Sequence, residues 1–125
     1  MNPAAIYKRT QAETADPDRI MILLFEGALA EIRRGAAALE GGERSVGAAS
    51  LDKACEIVLQ LRSSLDHERA PELCEQLSDL YVFASTRLSQ AIASGDAKFA
   101  QDAERALAPI ADAFGQAVDK LRAGG

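Results

Sequence analysis

The side chains best suited to chemistry in this chain are its single histidine, His67, and its two cysteines, Cys55 and Cys74. In a helical protein, a carboxylate-bridged di-iron centre needs a Glu-x-x-His pair on each of two helices. One histidine cannot supply two pairs, and the residue three positions before it is Ser64. The composition therefore excludes a di-iron enzyme.

A lone histidine could also accept a phosphoryl group, provided that it is exposed in the middle of a helix. His67 stands instead in LDHERAP, near a predicted helix end and between Asp66 and Glu68. These two carboxylates would repel a phosphoryl group. We interpret His67 as a solvated residue that interacts with the dipole of a helix C-terminus, and histidine phosphotransfer remains a third hypothesis.

The spacing of Cys55 and Cys74 matches neither a metal-ligand pair nor the cysteine density of a small secreted scaffold. No second histidine accompanies them to activate a thiol, so we expect small core or half-buried residues. A glycine-rich phosphate loop is missing too, because Gly41 and Gly42 follow a predicted helix. The sequence predicts a protein that is not an enzyme and has no metal or cofactor.

Composition narrows the remaining classes. The chain has 125 residues, a net charge of -5 and a pI near 4.9, which predicts one domain whose surface repels nucleic acid. No apolar run approaches the eighteen or so residues of a membrane span, and the N-terminus lacks the apolar core of a signal peptide. We therefore expect a cytoplasmic protein with reduced cysteines, no nucleic-acid partner and no membrane span.

The chain divides into a polar leader, residues 1–16, and four helical segments that form one domain over residues 17–122. Asp16 is predicted to cap a first helix that runs from Pro17 to about Glu40. Residues 41–50 begin with two glycines and are predicted to be a loop, with Ser50 as the cap of the second helix.

Apolar residues recur at spacings of three and four in the other helices. The second helix has Leu51, Ala54, Val58, Leu61 and Leu65. The third starts after Ala70 and has Leu73, Leu77, Leu80, Tyr81, Ala84, Leu88, Ala91 and Ile92. The fourth follows Ser94-Gly95-Asp96 and has Phe99, Ala103, Leu107, Ile110, Phe114, Ala117 and Leu121, with a kink predicted at Pro109. Short connections between amphipathic helices predict an all-α, antiparallel up-and-down four-helix bundle with a short N-terminal cap segment.

Some apolar residues fall outside these stripes. On the first helix, Ile20, Leu23 and Gly27 form a second face opposite the residues that point into the bundle. Elsewhere the surplus residues are Leu59, Val82 and Phe83. Because each large apolar side chain gains about 1.5 to 3 kcal/mol when buried, we interpret the set as a binding groove for a partner segment.

The segment DPDRIMILLFEGAL, residues 16–29, resembles the signature of the FliS family of bacterial flagellin export chaperones. The resemblance extends to Tyr7 in the leader, to the second helix from Leu51 to Asp66, and to Leu80-Tyr81 with Phe83. It covers nearly the whole chain. The chain departs from the family pattern at Ala70-Pro71, where a Gly-Gly pair is common.

The resemblance implies a cytoplasmic chaperone that binds the disordered C-terminal segment of flagellin, prevents premature polymerisation and presents the client to a component of the flagellar type III export gate. It also implies that Ile6 and Tyr7 of the leader can cap the groove, and a homodimer without client is a further possibility. With these added, the predicted partner-binding residues are Ile6, Tyr7, Ile20, Leu23, Gly27, Leu59, Leu80, Val82 and Phe83. A helical adaptor for another disordered secretion client is the second hypothesis.

Overall fold

The computed structural model describes residue 3 and residues 16–124, and the described residues contain helices but no strand. The four long helices are α1 (Pro17–Glu40), α2 (Arg44–Ser63), α3 (Pro71–Ser94) and α4 (Ala97–Gly124). Each helix packs against the next in the chain, and α4 also packs against α1. This ring is the predicted all-α four-helix bundle. The predicted cap residues Ile6 and Tyr7 lie outside the described residues.

Polar contacts at the two ends of the bundle show that α1 and α4 run antiparallel. Arg122, in the last turn of α4, pairs with Asp16 immediately before α1. At the other end, Gln101 of α4 donates a 2.7 Å hydrogen bond to the carboxylate of Glu40, the last residue of α1. The short connections, residues 41–43, 64–70 and 95–96, complete the up-and-down order.

The predicted start of α1 is confirmed. Asp16 adopts an extended backbone conformation, and its carboxylate accepts a 3.0 Å hydrogen bond from the backbone N–H of Asp18, while Pro17 is the first helical residue. This arrangement satisfies an N–H group that has no partner inside the helix. The helix ends at Glu40 as predicted, and Gly42 then turns the chain with a left-handed φ of 78°.

The predicted loop over residues 41–50 is wrong, because α2 already begins at Arg44. Ser50 is therefore a buried residue inside the helix and not its cap. Gly47 also lies in α2, where an ideal Cβ would stand 2.8 Å from Leu39 Cδ2. Gly35 of α1 is equally crowded, at 2.6 Å from the Leu51 side chain. These glycines allow two helices to approach closely.

The boundaries of α3 and the start of α4 agree with the prediction, whereas α2 ends at Ser63, before Leu65, which the predicted stripe had placed in it. Pro71 is the first residue of α3, and Gly95 ends that helix with a left-handed φ of 75°. Asp96 then accepts a 2.9 Å hydrogen bond from the backbone N–H of Lys98 in the first turn of α4. Pro109 lies inside α4, which runs on without interruption.

The core follows the predicted stripes along most of the bundle. Its largest fully buried side chains are Tyr81, Ile32, Leu51, Leu61, Leu88, Leu107 and Val58. Phe25 and Phe114 add a ring contact with centroids 5.9 Å apart. Leu65 follows the end of α2 and is only half-buried against this core.

Three leucines that the stripes assigned to the core are exposed: Leu73, Leu80 and Leu121. Ala117 is exposed too, whereas Val118 is buried. The last turns of α4 lie beside the start of α1, where Arg122 pairs with Asp16, so the side of α4 that faces α1 is covered there. The prediction of one uniform stripe along the fourth helix is therefore wrong at its C-terminal end.

Candidate binding surfaces

The residues that could do chemistry are not arranged for it. His67 is exposed in the connection between α2 and α3, and Cys74 is buried, with its thiol donating to the backbone carbonyl of Asp66 at 3.2 Å. Burial raises the pKa of the half-buried Cys55 thiol, and the nearby carboxylates of Asp52 and Glu56 add to this effect. A raised pKa keeps the thiol protonated and unreactive. Residues 16–124 also contain no cluster of metal-ligating side chains.

The predicted site residues that the structure describes fall into three places. The α1/α2 face contains Ile20, Leu23 and Gly27. The α2/α3 groove contains Leu59 and Val82, which belong to neighbouring helices and line one cavity. The α3/α4 edge contains Leu80 and Phe83. The surplus hydrophobes therefore do not form one groove.

The α1/α2 face is shallow. Ile20, Leu23 and Gly27 are all half-buried, and an ideal Cβ on Gly27 would stand 3.5 Å from Ile57 Cδ1 of α2. The space above this glycine is thus bordered by a neighbouring helix. One turn further along the same side of α1, Glu31 accepts a hydrogen bond from Arg34, while its second carboxylate oxygen is buried without a hydrogen-bond partner.

The α2/α3 groove is a trough of about 260 Å³. Buried Val58 lines its floor, and the exposed side chains of Leu59 and Val82 form apolar walls. Leu59 is 60% exposed and Val82 42% exposed, so this pair offers more uncovered apolar surface than the α1/α2 face. Ser85 and Ser89 line the same trough from α3.

Arg62 also lines the α2/α3 groove. Its Nε donates a 3.1 Å hydrogen bond to Ser78 Oγ on the facing helix. Among the described residues, no carboxylate lies within ion-pairing distance of Arg62. The groove therefore combines an apolar centre with a guanidinium that no carboxylate of residues 16–124 neutralises.

The α3/α4 edge is covered by one cationic side chain. Arg87 places its guanidinium carbon 5.1 Å from the ring centroid of Phe83 and 5.8 Å from that of Phe99. The same group donates a 3.0 Å hydrogen bond to the side chain of Gln90 and lies 3.8 Å from a carboxylate oxygen of Asp102. Stacking against two rings shields part of Phe83 from solvent.

Val82 and Phe83 are separated because consecutive helical residues point about 100° apart. Val82 faces α2 and lines the same cavity as Leu59, whereas Phe83 lies on the side of α3 where Arg87 stacks between it and Phe99 of α4. Adjacent positions in the sequence thus belong to different surfaces.

Sequence reasoning missed several exposed or charged residues of these surfaces. Leu73 and Leu121 were assigned to the core, and Arg62 and Arg87 were not singled out at all. The helix-2 spacing did contain a signal for Arg62, since it follows Leu59 by three residues and so lies on the same side of a helix.

A larger cavity of about 480 Å³ lies between the end of α1 and the start of α4 and includes Lys98.

Within the described part of the chain, no helix is both long enough and apolar enough to cross a membrane.

Comparisons with known proteins agree on one family. The family model described as "Flagellar protein FliS" matches residues 1–121. A flagellar secretion chaperone FliS of Salmonella typhimurium is 33% identical over 90% of this chain and 84% of the relative. The FliS of Bacillus subtilis is 29% identical over 97% of this chain and 90% of the relative. A crystal structure of a flagellar chaperone from bacteria is 19% identical, with a TM-score of 0.76 over 95% of this chain and 99% of that one, and it supports the fold.

Proposed function

The chain belongs to the FliS family of flagellar secretion chaperones, and from this premise we propose that it binds the disordered C-terminal segment of flagellin. In this role it prevents premature polymerisation in the cytoplasm and delivers the client to the flagellar type III export apparatus. Its work is binding and release, with no catalytic step.

The observation that carries this proposal is the α2/α3 groove. Leu59 and Val82 remain exposed although the chain buries a complete core of its own. A disordered segment that folds into a helix in such a groove would cover them. Coupled folding and binding costs the client about 2 to 5 kcal/mol in ordering, so it has to bury several apolar residues to bind well.

The α1/α2 face and the α3/α4 edge extend the proposed contact around the bundle. Ile20 and Leu23 offer a shallow apolar surface, and Leu80 and Phe83 offer a second one on the far side of α3. In this proposal the client wraps around the bundle and contacts all three surfaces, which supplies more buried area than the groove alone. The leader, through Ile6 and Tyr7, competes with the client for one of them.

Calorimetric titration with a peptide from the C-terminal segment of flagellin tests the proposal. We expect binding by the full chain, and weaker binding by Leu23→Asp and by Phe83→Asp, each of which alters a different surface. Leu121→Asp is the matched control, because it places the same charge on a side chain that is 71% exposed and outside the three surfaces. Circular dichroism verifies that every variant keeps its helices.

Two results would count against the proposal. If the full chain does not bind the flagellin peptide but binds a different disordered secretion substrate, the protein is an adaptor for another client. If it binds flagellin and both aspartate variants bind as tightly as the control, the α1/α2 face and the α3/α4 edge are not contact surfaces.

A further inference from the structure

We propose that Arg62 is the charged anchor of the α2/α3 groove, and that the groove selects a helical client segment with an acidic residue one turn away from an apolar residue. This inference rests on the proposed function, because the occupant is the client segment. It goes further by stating what chemistry the segment must carry.

The position of Arg62 is the first support. Its hydrogen bond to Ser78 uses Nε and holds the guanidinium across the space between α2 and α3. The four remaining N–H donors of a guanidinium are suited to a carboxylate, which accepts two of them side by side. A client carboxylate at this place would neutralise a charge that no described carboxylate of the protein neutralises.

Arg62 differs from the other arginines by its place in the groove. Five other arginines do have a carboxylate partner within the protein. They are Arg33, Arg34, Arg87, Arg105 and Arg122. Among the described residues, Arg62 has no carboxylate partner and neither do Arg19, Arg44 and Arg69, but of these four only Arg62 lines the α2/α3 groove. A partner that is acidic at this one point is complementary to it.

The spacing of the groove residues sets the spacing in the client. Leu59 precedes Arg62 by three residues on α2, and Val82 follows Ser78 by four residues on α3. On both walls the apolar site therefore lies about one helical turn, or about 5.4 Å, from the charged site. A client helix lying along the groove places side chains at i and i+3 or i+4 over these two sites.

Small residues leave room for the client backbone beyond the apolar site. Ser85 and Ser89 are one turn apart and line the trough. Because serine is short, a helix can approach α3 closely there, as α2 approaches α1 at Gly35 and Gly47. The predicted order along the groove is thus an acidic residue, an apolar residue and then a stretch of close backbone contact.

Two synthetic helical peptides test this inference directly. Both carry a central leucine in an alanine-rich sequence, with glutamates one turn to either side in one peptide and lysines at the same positions in the other. Affinities are measured for the full chain, for Arg62→Gln and for Arg105→Gln. The last is the control, since α4 does not neighbour α2 in the ring of helices.

We expect the full chain to prefer the glutamate peptide, and Arg62→Gln to weaken the binding of that peptide about three- to tenfold without weakening the lysine peptide, whose repulsion by Arg62 is removed. Arg105→Gln should bind both peptides like the full chain. Equal binding of the two peptides by the full chain, no binding of the glutamate peptide, or an unchanged preference in Arg62→Gln would each overturn the inference.

The flagellin peptide separates this inference from the proposed function. If flagellin binds the full chain and Arg62→Gln equally well, the anchor is wrong although the chaperone function stands. If flagellin does not bind, but the glutamate peptide binds in an Arg62-dependent manner, the groove is assigned correctly and flagellin is not its client.

Discussion

Helix α2 packs against its two neighbours in different ways. Toward α1, Gly35 and Gly47 remove side chains, so Leu51 and Leu39 occupy the space where a Cβ would stand. Toward α3, Leu59 and Val82 stand on the rims, and the two helices leave a trough between them. Glycines thus bring α2 close to α1, whereas Leu59 and Val82 stay exposed between α2 and α3, where the proposed client would bind.

The largest expected effect comes from adding a side chain where α1 and α2 pack closely. Gly35→Leu places a side chain where Leu51 already lies, at 2.6 Å from the ideal Cβ, and should lower the free energy of unfolding by about 3 kcal/mol. Urea denaturation measures this loss.

Gly115→Ala is the control, because it also replaces a glycine inside a helix. Nothing lies within 4 Å of an ideal Cβ at Gly115, so alanine there should raise the free energy of unfolding by about 0.5 to 1 kcal/mol. If Gly35→Leu and Gly115→Ala unfold at the same urea concentration, close packing at the glycines is not what joins α1 to α2.

The next largest effect is on client binding in the α2/α3 groove. Leu59→Asp should weaken the flagellin peptide by about 2 kcal/mol, or about thirtyfold, with little change in stability because Leu59 is 60% exposed. Isothermal titration of the flagellin peptide reports the first quantity and urea denaturation the second. A large loss of stability with unchanged affinity would mean that Leu59 is part of the core in solution.

Tyr81 and Val82 provide a smaller contrast inside α3, because one is in the core and the next lines the groove. Burial, with a further contribution from the nearby Cys74, raises the pKa of Tyr81 to about 12. The folded state thus disfavours the phenolate. The contribution of neutral Tyr81 to the free energy of unfolding is fully present below pH 10 and is lost as the pH rises toward 12.

At pH 11 this loss should be on the order of 1 kcal/mol, and Tyr81→Phe should remove it, whereas Val82→Thr should keep it. Urea denaturation of the three proteins at pH 7, 10 and 11 measures the difference. An equal alkaline loss in Tyr81→Phe would show that another group causes it.

The smallest effect concerns residues 1–15 of the leader. If Ile6 and Tyr7 cap an exposed surface, deleting residues 1–15 should raise the affinity for the flagellin peptide. The increase is about threefold for a cap that is closed about two thirds of the time. Titration of the full and shortened chains measures this ratio. A large loss of affinity after the deletion would instead show that the leader contacts the client.

The sequence predicted the parts of the fold that depend on local chemistry. The start of α1 at Pro17 and its cap Asp16 follow from side-chain hydrogen bonds within a few residues, and the same holds for the turn at Gly95. The start of α2 was missed because Gly47 looks like a loop residue by itself. Its role is clear only when Leu39 of another helix is placed beside it.

The candidate site was predicted less completely, since it depends on which helices are neighbours. Helical spacing identified Leu59, Val82 and Phe83 as apolar residues outside the core stripes. It could not show that the first two line one groove while Phe83 lies against Arg87. Arg62 was overlooked because its spacing from Leu59 indicates a shared side of the helix but does not show which charged groups lie near it. That no described carboxylate pairs with it is visible only in three dimensions.

The ion pair between Arg122 and Asp16 has a consequence for any competition with the client. It holds Asp16 beside the end of α4, and the chain between Asp16 and Tyr7 can span at most about 30 Å. If the leader caps a surface of the bundle, it acts as an intramolecular ligand, with an effective concentration set by its tether and not by the amount of protein. Diluting the protein would then leave the cap as strong as before, so only a client with enough affinity of its own could open it.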